Sequence, residues 1–381
     1  MKQKMSVMVI FGTRPEAVKL APVIQALHAH ANKIDTSVCI TAQHREMLDQ
    51  VLNVFNIIPD FDLDLMRPDQ TLAQLTAKIF TDLDPVVKKV QPDWLLIQGD
   101  TTTVMAAALL GYYHHINVGH VEAGLRTFDK WQPFPEEINR RVAGAVADLH
   151  FAPTENNRQN LLREGISDNI IKVTGNPAID ALQIVATQPE PAQVKRLLDQ
   201  AEVSSNHRRL ILVTAHRRES FGKPIRDICA ALKRLAEYYC DSISLIYPVH
   251  LNPNIQKPVY VCLSDVDNIL LLQPLDYVSL VHLMKHAALI LTDSGGIQEE
   301  APSLGVPTLV LRDCTERQEG ISAGTLKLVG TNPERIFNAA KRLLDDPKAH
   351  AAMAGSINPY GDGHSAERIV NALLIKWGQD Q

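Results

Sequence analysis

Four carboxylates occupy places where short apolar or proline-rich runs of the sequence end. Asp100 follows "WLLIQG", Glu122 follows "INVGHV", and Glu136 and Glu137 follow "PFP". A carboxyl group can donate a proton in one protonation state and accept one in the other, so such residues can act as general acid and base. Each of them alone is more often a helix cap, and only their convergence in one crevice would indicate catalysis.

A second set of residues that follow apolar runs is basic. His216, Arg217 and Arg218 follow "LILVTA", and Arg317 lies in the later stretch "RDCTER". Several positive charges in these positions can neutralise a diphosphate, and arginine can bind phosphate through two parallel hydrogen bonds. These stretches therefore predict an anion-binding region.

The stretch "FGTRPEAVK" has the pattern of a strand end followed by a helix start. Thr13 can cap a helix, and Pro15 suits the first turn because proline has no backbone N–H to leave unpaired. Arg14 stands just before this helix, where it could bind phosphate, and Lys19 lies within it. From its position in the sequence alone, Lys19 is expected to be a solvated residue on the surface of this helix.

A glycine pair after a later apolar run could accommodate phosphate. In "LILTDSGGIQEEAP", Ser294 can cap a helix, and Gly295 and Gly296 have no Cβ that would keep a diphosphate away from the backbone. Simple capping explains the same pattern equally well. One of the acids Glu299 and Glu300 could accept hydrogen bonds from ribose hydroxyls; alternatively, both only favour the first turn of the helix.

Repeated apolar runs are the elements that must position these residues. Those of the first half are "VMVIF", "SVCI", "WLLI", "INVGHV", "LHFA" and "IKV"; those of the second half are "LILVT", "SLIY", "ILLL", "LILT", "TLVL" and "LKLV". Each precedes a polar or glycine cluster and a helix-like segment, a pattern typical of parallel sheets buried on both faces.

The sequence therefore predicts two doubly wound parallel sheets, with a boundary near 175–208. In such sheets ligands bind outside the carboxyl ends of the strands, which is where the acids and cations stand. If the third and fourth strands are neighbours, Asp100 and Glu122 share one edge of the sheet.

Composition narrows the possible classes of protein. A chain of 381 residues, 45% of them hydrophobic, can form two domains with full cores. The net charge of −5 argues against broad attraction to nucleic acid or anionic membranes. No apolar run approaches the roughly 20 residues needed to span a bilayer, and five scattered cysteines suit a reducing cytoplasm. Neither zinc-binding spacing nor a dinucleotide or Walker motif is present, so no metal or cofactor is expected.

The motifs in order closely resemble the non-hydrolysing UDP-N-acetylglucosamine 2-epimerases of bacteria. The likeness extends from about residue 7 to about 369 and rests on "FGTRPEAVK", "TAQHREML", "GDTTT", "GHVEAGLRT", "PFPEEINRR", "TGNPAIDAL", "TAHRRESFG", "YPVHLNPN", "LTDSGGIQEEAPSLGVP" and "RDCTERQEG". Any one motif could mislead, whereas ten in sequence are highly specific.

The resemblance implies a fold of the GT-B type, with two Rossmann-like domains facing across a cleft. The domains would be 1–174 and 175–363, and a helix near 364–381 would cross back to the first domain. It also implies a cytoplasmic homodimer that makes UDP-N-acetylmannosamine for bacterial surface polysaccharide, without a cofactor.

The resemblance also assigns roles to particular residues. The family's catalytic carboxylates match Asp100, Glu122 and Glu136, of which the first two would also contact substrate. The UDP-binding positions match Arg14, His216, Ser294, Gly295, Gly296 and Glu300, with Lys19 and Arg317 nearby; His216 also counts among the catalytic positions. Gln43 and His44 match a regulatory UDP-N-acetylglucosamine site of bacterial members. Gln98 stands where a histidine is common in the family.

The chemistry that these residues would perform is elimination followed by re-addition. The C2 proton of the sugar is not next to a carbonyl, so it becomes acidic only if UDP leaves C1. The expected intermediate is a 2-acetamidoglucal, which is reprotonated on the opposite face. The alternatives are a GT-B glycosyltransferase, a non-catalytic UDP-sugar sensor, and an epimerase of a modified sugar such as a 2,3-diacetamido uronic acid.

Overall fold

The structure, a computed structural model, describes residues 4–42, 45–67, 69–204 and 208–380. The chain forms two compact units. Unit 1 comprises Met1–Ala181 and Tyr360–Gln381, and unit 2 comprises Leu182–Pro359. The chain therefore passes from unit 1 to unit 2 and later returns.

Unit 1 is built on a parallel sheet of seven strands. The strands are β1 Met5–Phe11, β2 Ile34–Ile40, β3 Phe61–Asp62, β4 Trp94–Gln98, β5 Asn117–Val121, β6 Leu149–Ala152 and β7 Ile171–Val173. Their order is β3-β2-β1-β4-β5-β6-β7, and every pairing is parallel. The order reverses between β1 and β4, which is the position where doubly wound sheets open a ligand crevice.

Helices connect these strands and cover the sheet. They are α1 Arg14–Ala29, α2 Arg45–Val54, α3 Leu72–Val90, α4 Thr102–Tyr113, α5 Glu136–Val146, α6 Glu155–Arg163 and α7 Pro177–Ala186, which runs across the boundary between the units. A single 3-10 turn lies at Asp168–Ile170.

Unit 2 has a parallel sheet of six strands. The strands are β8 Arg209–Thr214, β9 Ile243–Pro248, β10 Ile269–Leu272, β11 Ala287–Thr292, β12 Thr308–Val310 and β13 Leu326–Leu328, in the order β10-β9-β8-β11-β12-β13. Here the order reverses between β8 and β11, so this sheet has the same kind of switch point as the first.

The helices of unit 2 follow the same alternation. They are α8 Ala192–Gln200, α9 Lys223–Tyr238, α10 Pro253–Leu263, α11 Tyr277–His286, α12 Gly295–Glu300, α13 Gln318–Ser322, α14 Pro333–Asp345 and α15 Pro347–Ala354. Short 3-10 turns lie at Arg218–Ser220 and Ala301–Leu304. After α15 the chain re-enters unit 1 and forms α16 Ser365–Asp380, which packs on α1.

Each sheet is held by apolar side chains on strands and helices alike. In unit 1 every residue of β4 and β6 is buried, as expected for strands that helices cover on both faces. The α3 residues that pack against this sheet recur every four positions and are Leu75, Ile79, Leu83 and Val87. In unit 2 the buried face of α9 packs against β8 and β9 in the same way. The polar strand ends are thus presented by rigid, apolar scaffolds.

The predicted pair of doubly wound parallel sheets is confirmed, and β4 and β5 are neighbours as expected. All twelve predicted strands are present. One strand was missed, because the two-residue edge strand β3 is too short to give an apolar run.

The units also divide later than the predicted 174/175, within α7. The reason is that Ala178, Ile179 and Ala181 are buried and Asp180 accepts a hydrogen bond from the backbone N–H of Ala366. The chain returns to unit 1 between Pro359 and Tyr360 rather than at 363/364. At this point the Tyr360 carbonyl already accepts a hydrogen bond from the backbone N–H of Asn176.

Candidate active site

In unit 1 the predicted acids collect at the carboxyl ends of neighbouring strands. Asp100 lies two residues after β4, Glu122 directly follows β5, and Glu136 is the first residue of α5. Gly99, between β4 and Asp100, has a φ of +84°, which lets the chain turn sharply out of the sheet. The strand ends therefore bring the acids to one edge.

Glu122 is the most firmly held of these acids. It is 6% exposed, and its Oε1 accepts hydrogen bonds from Lys19 Nζ at 2.5 Å and Asn176 Nδ2 at 3.0 Å. Its Oε2 accepts a hydrogen bond from the amide of Gln98 on β4. Lys19 is thus a partner of a buried acid, and the surface interpretation from sequence was wrong.

Asp100 is held mainly through an arginine of α5. Its Oδ2 lies 3.0 Å from Nη2 of Arg140, and its backbone carbonyl accepts a hydrogen bond from Asn139 Nδ2 at 3.0 Å. Burial raises the pKa of Asp100 to about 6; the negative charges of Glu122 and Glu136 add to this rise, and Arg140 and Lys19 oppose it. Asp100 can therefore exchange a proton near neutral pH.

The two adjacent acids at the start of α5 have different environments. The side chain of Glu137 is fully buried and accepts hydrogen bonds from the backbone N–H groups of Thr127 at 3.1 Å and Phe128 at 3.2 Å. The half-buried Glu136 carboxylate has no hydrogen bond or ion pair with the described residues. Glu137 therefore holds the preceding loop, and Glu136 remains available to a ligand.

Two charged residues at the start of α1, Glu16 and Arg14, also have different environments. Glu16 is 2% exposed and accepts hydrogen bonds from the backbone N–H groups of Gly12 and Thr13 at 2.8 and 2.7 Å, and from Thr101 Oγ1 at 2.5 Å. Burial raises its pKa despite these hydrogen bonds. The half-buried Arg14 guanidinium has no hydrogen bond or ion pair among the described residues, which suits an anion-binding role.

In unit 2 the strand ends are organised by Asp293, which sequence reasoning missed. This fully buried residue follows β11, and its Oδ2 accepts hydrogen bonds from the backbone N–H groups of His216 and Arg217, each at 2.8 Å, and from Ser220 Oγ at 3.2 Å. The available signal was an acid directly after an apolar strand, beside the glycine pair. Asp293 thus fixes the loop that carries the cations.

His216 lies over this carboxylate with part of its ring exposed. Its Nδ1 is 3.5 Å from Oδ1 of Asp293, and its ring stacks on that of His250 at a centroid distance of 5.6 Å. Burial lowers the pKa of His216, Arg217 and His250 contribute to the decrease, and Asp293 opposes it. The Nε of Arg217 is buried and makes no hydrogen bond to the described residues.

The two residues of the glycine pair have different surroundings. A Cβ on Gly295 would lie 2.9 Å from Cζ of Arg317, so the absent side chain makes room for that guanidinium. A Cβ on Gly296 would have no atom within 4 Å, so space beside that residue is open. Ser294 occupies the N-cap position of α12, but its side chain makes no capping hydrogen bond, contrary to expectation.

The two acids of α12, Glu299 and Glu300, also have different partners. Glu299, 2% exposed, pairs with Nε and Nη2 of Arg317 at 2.9 and 2.8 Å, and Glu300 accepts a hydrogen bond from Tyr277 Oη at 3.1 Å. They are the last two residues of α12, not part of its first turn. Glu299 therefore positions Arg317, whereas Glu300 contacts Tyr277.

Arg317 also contacts Glu316. Although burial works in the opposite direction, Arg317, Arg312 and Arg217 lower the pKa of Glu316 to about 2.

The predicted regulatory residues Gln43 and His44 lie outside the described residues.

Neither a metal site nor a membrane span is found in the described ranges. They contain no cluster of three histidine, cysteine or acidic side chains arranged to hold a metal ion. None of their helices combines the length and apolar character that crossing a membrane requires.

Comparison with known proteins identifies close relatives along nearly the whole chain. The family model described as UDP-N-acetylglucosamine 2-epimerase matches residues 25–374. The chain is 53% identical to the UDP-N-acetylglucosamine 2-epimerase of Yersinia pestis, covering 97% of this chain and 98% of that protein.

Two solved structures are similar as well. The UDP-GlcNAc 2-epimerase of Neisseria meningitidis bound to UDP-GlcNAc has a TM-score of 0.89 at 47% identity, covering 97% of this chain and 100% of that chain. The S. aureus MnaA structure with UDP has a TM-score of 0.88 at 46% identity, covering 98% of this chain and 97% of that chain.

Proposed function

The chain belongs to the UDP-N-acetylglucosamine 2-epimerase family of isomerases, and from this membership we propose that it interconverts UDP-N-acetylglucosamine and UDP-N-acetylmannosamine. The observation that carries the proposal is the group of acids at the edge of the unit 1 sheet. Glu122 accepts hydrogen bonds from Lys19, Gln98 and Asn176, and Asp100 responds to the charges of both Glu122 and Glu136. A reaction that moves one proton off a carbon and back needs such a group.

The proposed reaction begins with elimination. A carboxylate removes the proton from C2, the electrons of that C–H bond form a C1=C2 double bond, and the C1–O bond breaks with its electron pair leaving on UDP. The products of this step are 2-acetamidoglucal and UDP. In the return step a carboxyl group delivers a proton to the opposite face of C2, and UDP re-adds at C1. The two carboxyl groups then regain their starting protonation states by exchanging protons with solvent, so atoms and charge balance over the cycle and no oxidant or reductant is required.

The acids of unit 1 suit the two proton transfers for different reasons. Asp100 has a pKa near 6, so both of its protonation states are accessible near neutral pH. Glu122 accepts hydrogen bonds from Lys19, Gln98 and Asn176, and the Glu136 carboxylate has no hydrogen bond or ion pair with the described residues.

Unit 2 would bind the leaving group. Arg217 lies in the loop that Asp293 holds, Arg317 is oriented by Glu299, and the space beside Gly296 is open. Positive charge and backbone N–H groups at the departing diphosphate would stabilise the charge that develops as the C1–O bond breaks. In the same proposal His216 and Glu300 contact the nucleotide, the latter through ribose, and Arg14 and Lys19 are further substrate-binding residues.

The wider biological role is part of the proposal too. We infer a homodimer in the cytoplasm that supplies UDP-N-acetylmannosamine for bacterial surface polysaccharide, and a regulatory site that includes Gln43 and His44. The sequence resemblance supports these points.

The decisive experiment is an NMR time course with UDP-N-acetylglucosamine as the only substrate in D2O. The expected result is a mixture of the two epimers whose product carries deuterium at C2. A Glu122→Gln variant should lose deuterium incorporation while still binding UDP. Product that retains hydrogen at C2 would contradict proton exchange, and an unchanged substrate would favour a glycosyltransferase or a non-catalytic sensor. If only a modified UDP-sugar is converted, the reaction class stands and the substrate is corrected.

A further inference from the structure

Asn176 connects a predicted catalytic acid with the segment by which the chain returns to unit 1. It lies in the loop between β7 and α7 and is 1% exposed. Its Nδ2 donates to Oε1 of Glu122 at 3.0 Å, and its backbone N–H donates to the carbonyl of Tyr360 at 2.7 Å. One residue thus contacts both the acid and the returning chain.

The orientation of the Asn176 amide is determined by its other contact. Oδ1 accepts a hydrogen bond from the backbone N–H of Ala178 at 3.0 Å, in the first turn of α7. Because the oxygen is used in this way, the NH2 group must be the side that faces Glu122. An NH2 group can only donate, so it favours the ionised, accepting form of the Glu122 carboxylate.

The loop that carries Asn176 is packed tightly against the returning segment. Gly175 has a φ of +87°, and a Cβ there would lie 2.6 Å from Ser365 Oγ and 3.2 Å from Cα of Gly361. Arg368 of α16 donates to the Thr174 carbonyl at 3.2 Å. These contacts leave the loop little freedom to shift relative to residues 360–368.

The groups around Glu122 come from several elements. Lys19 belongs to α1, Gln98 to β4 and Asn176 to the loop after β7, while Asp100 is the nearby acid. The buried His120 on β5 also responds to the charge of Glu122. Of these donors, Asn176 contacts the returning segment through the Tyr360 carbonyl.

We propose that Asn176 is a positioning residue that holds Glu122 ionised and oriented for proton transfer, and that makes this orientation depend on the segment returning from unit 2. This inference rests on the proposed epimerase function. Asn176 links Glu122 to Tyr360, beside the crossing at 359/360, and to Ala178 of α7, the helix that contains the crossing at 181/182. A displacement of either crossing segment therefore reaches the acid through a short hydrogen-bonded path.

The test compares Asn176→Ala and Asn176→Asp with the wild-type protein by steady-state kinetics and C2 deuterium incorporation. For Asn176→Ala we expect kcat to fall about tenfold to a hundredfold, with KM for UDP-N-acetylglucosamine changing less than about threefold, because orientation and not substrate binding is lost. Asn176→Asp places a second carboxylate beside Glu122 and disfavours its ionised form. The acid limb of its kcat/KM profile should therefore move to higher pH.

The matched control is Asn268→Ala. Asn268 is a buried asparagine of unit 2 whose Nδ2 donates to the carbonyls of Ala236 and Ile243 at 3.1 and 3.2 Å. Its replacement should lower the denaturation midpoint and leave kcat and the pH profile unchanged.

Three outcomes would overturn the inference. An Asn176→Ala protein that loses stability but keeps the wild-type kcat would show a purely structural role. Equal decreases at every pH for Asn176→Asp would show that Glu122 ionisation is not affected. A wild-type protein that incorporates no deuterium at C2 would refute the proposed function, and the inference with it.

Discussion

Glu122 has a backbone conformation that its residue type seldom adopts. Its φ is +62°, a region in which non-glycine residues are uncommon and cost about 1–3 kcal/mol. The turn directs its side chain to Lys19, Gln98 and Asn176, which hold it in place. Local strain combined with a triple anchor is the pattern expected of a group whose position matters for function.

A pH-dependent stability follows from Asp100. Its pKa rises from 3.8 to about 6 on folding, so the folded protein binds more protons than the unfolded chain between these values, and stability falls as pH rises through this window. Asp100→Asn removes this dependence. Between pH 4.5 and 7.5, the wild-type protein should lose up to about 2 kcal/mol of unfolding free energy relative to the variant.

Urea titrations at pH 4.5 and 7.5 measure this difference in the free energy of unfolding. The Asp100 side chain is 30% exposed, so screening by solvent will make the difference smaller. Glu316→Gln provides a control of opposite sign, because the pKa of Glu316 is lowered to about 2. Wild type should gain stability relative to that variant as pH rises from about 2 to 4.5. A difference between wild type and Asp100→Asn that stays constant with pH would show that Asp100 is not perturbed.

At the residue scale the sequence predicted which acids stand at strand ends, but not their partners. The apolar runs place Asp100 and Glu122 after their strands without any knowledge of tertiary contacts. The pairing of Lys19 with Glu122 joins residues 103 positions apart, and that of Asn176 with Glu122 joins residues 54 positions apart. Such contacts follow from strand order and helix packing, which local patterns do not contain.

The two adjacent glycines of helix α12 have different surroundings, so replacing each of them with alanine should have a different effect. We expect Gly295→Ala to displace Arg317, to lower the free energy of unfolding by about 1 kcal/mol, and to weaken UDP binding. Gly296→Ala should keep the free energy of unfolding within about 0.5 kcal/mol, because its Cβ meets no atom. It should still weaken UDP binding about tenfold if the diphosphate occupies that space.

Calorimetric UDP titrations and urea unfolding of both variants separate the two effects. Wild-type affinity in Gly296→Ala would place the diphosphate elsewhere. Unchanged stability and affinity in Gly295→Ala would show that Arg317 can move without consequence.

At the element scale the continuous apolar runs gave an accurate account of twelve strands, because buried parallel strands carry a signal along their whole length. β3 carries none: it consists of Phe61 and Asp62, one half-buried and one exposed. The side chain of Ser294 makes no capping hydrogen bond, since residue type alone does not determine whether a hydroxyl turns towards the helix start.

At the scale of the whole molecule, the proposal assigns proton transfer to unit 1 and binding of the nucleotide to unit 2. Hydrogen exchange measured with and without UDP tests this division. We expect UDP to slow exchange at 216–220, 294–300 and 315–318, with smaller changes in the strands of unit 1, because a ligand stabilises the segments that it contacts. Protection confined to unit 1 would contradict the assignment of the nucleotide to unit 2.

The split construction of unit 1 has a consequence during synthesis. Residues 182–359 leave the ribosome before residues 360–381, so unit 2 has all of its sequence while unit 1 still lacks α16, the helix that packs on α1. Domains generally fold as units in the order of synthesis. Unit 1 therefore cannot complete its fold until residues 360–381 have been synthesised, after the whole of unit 2.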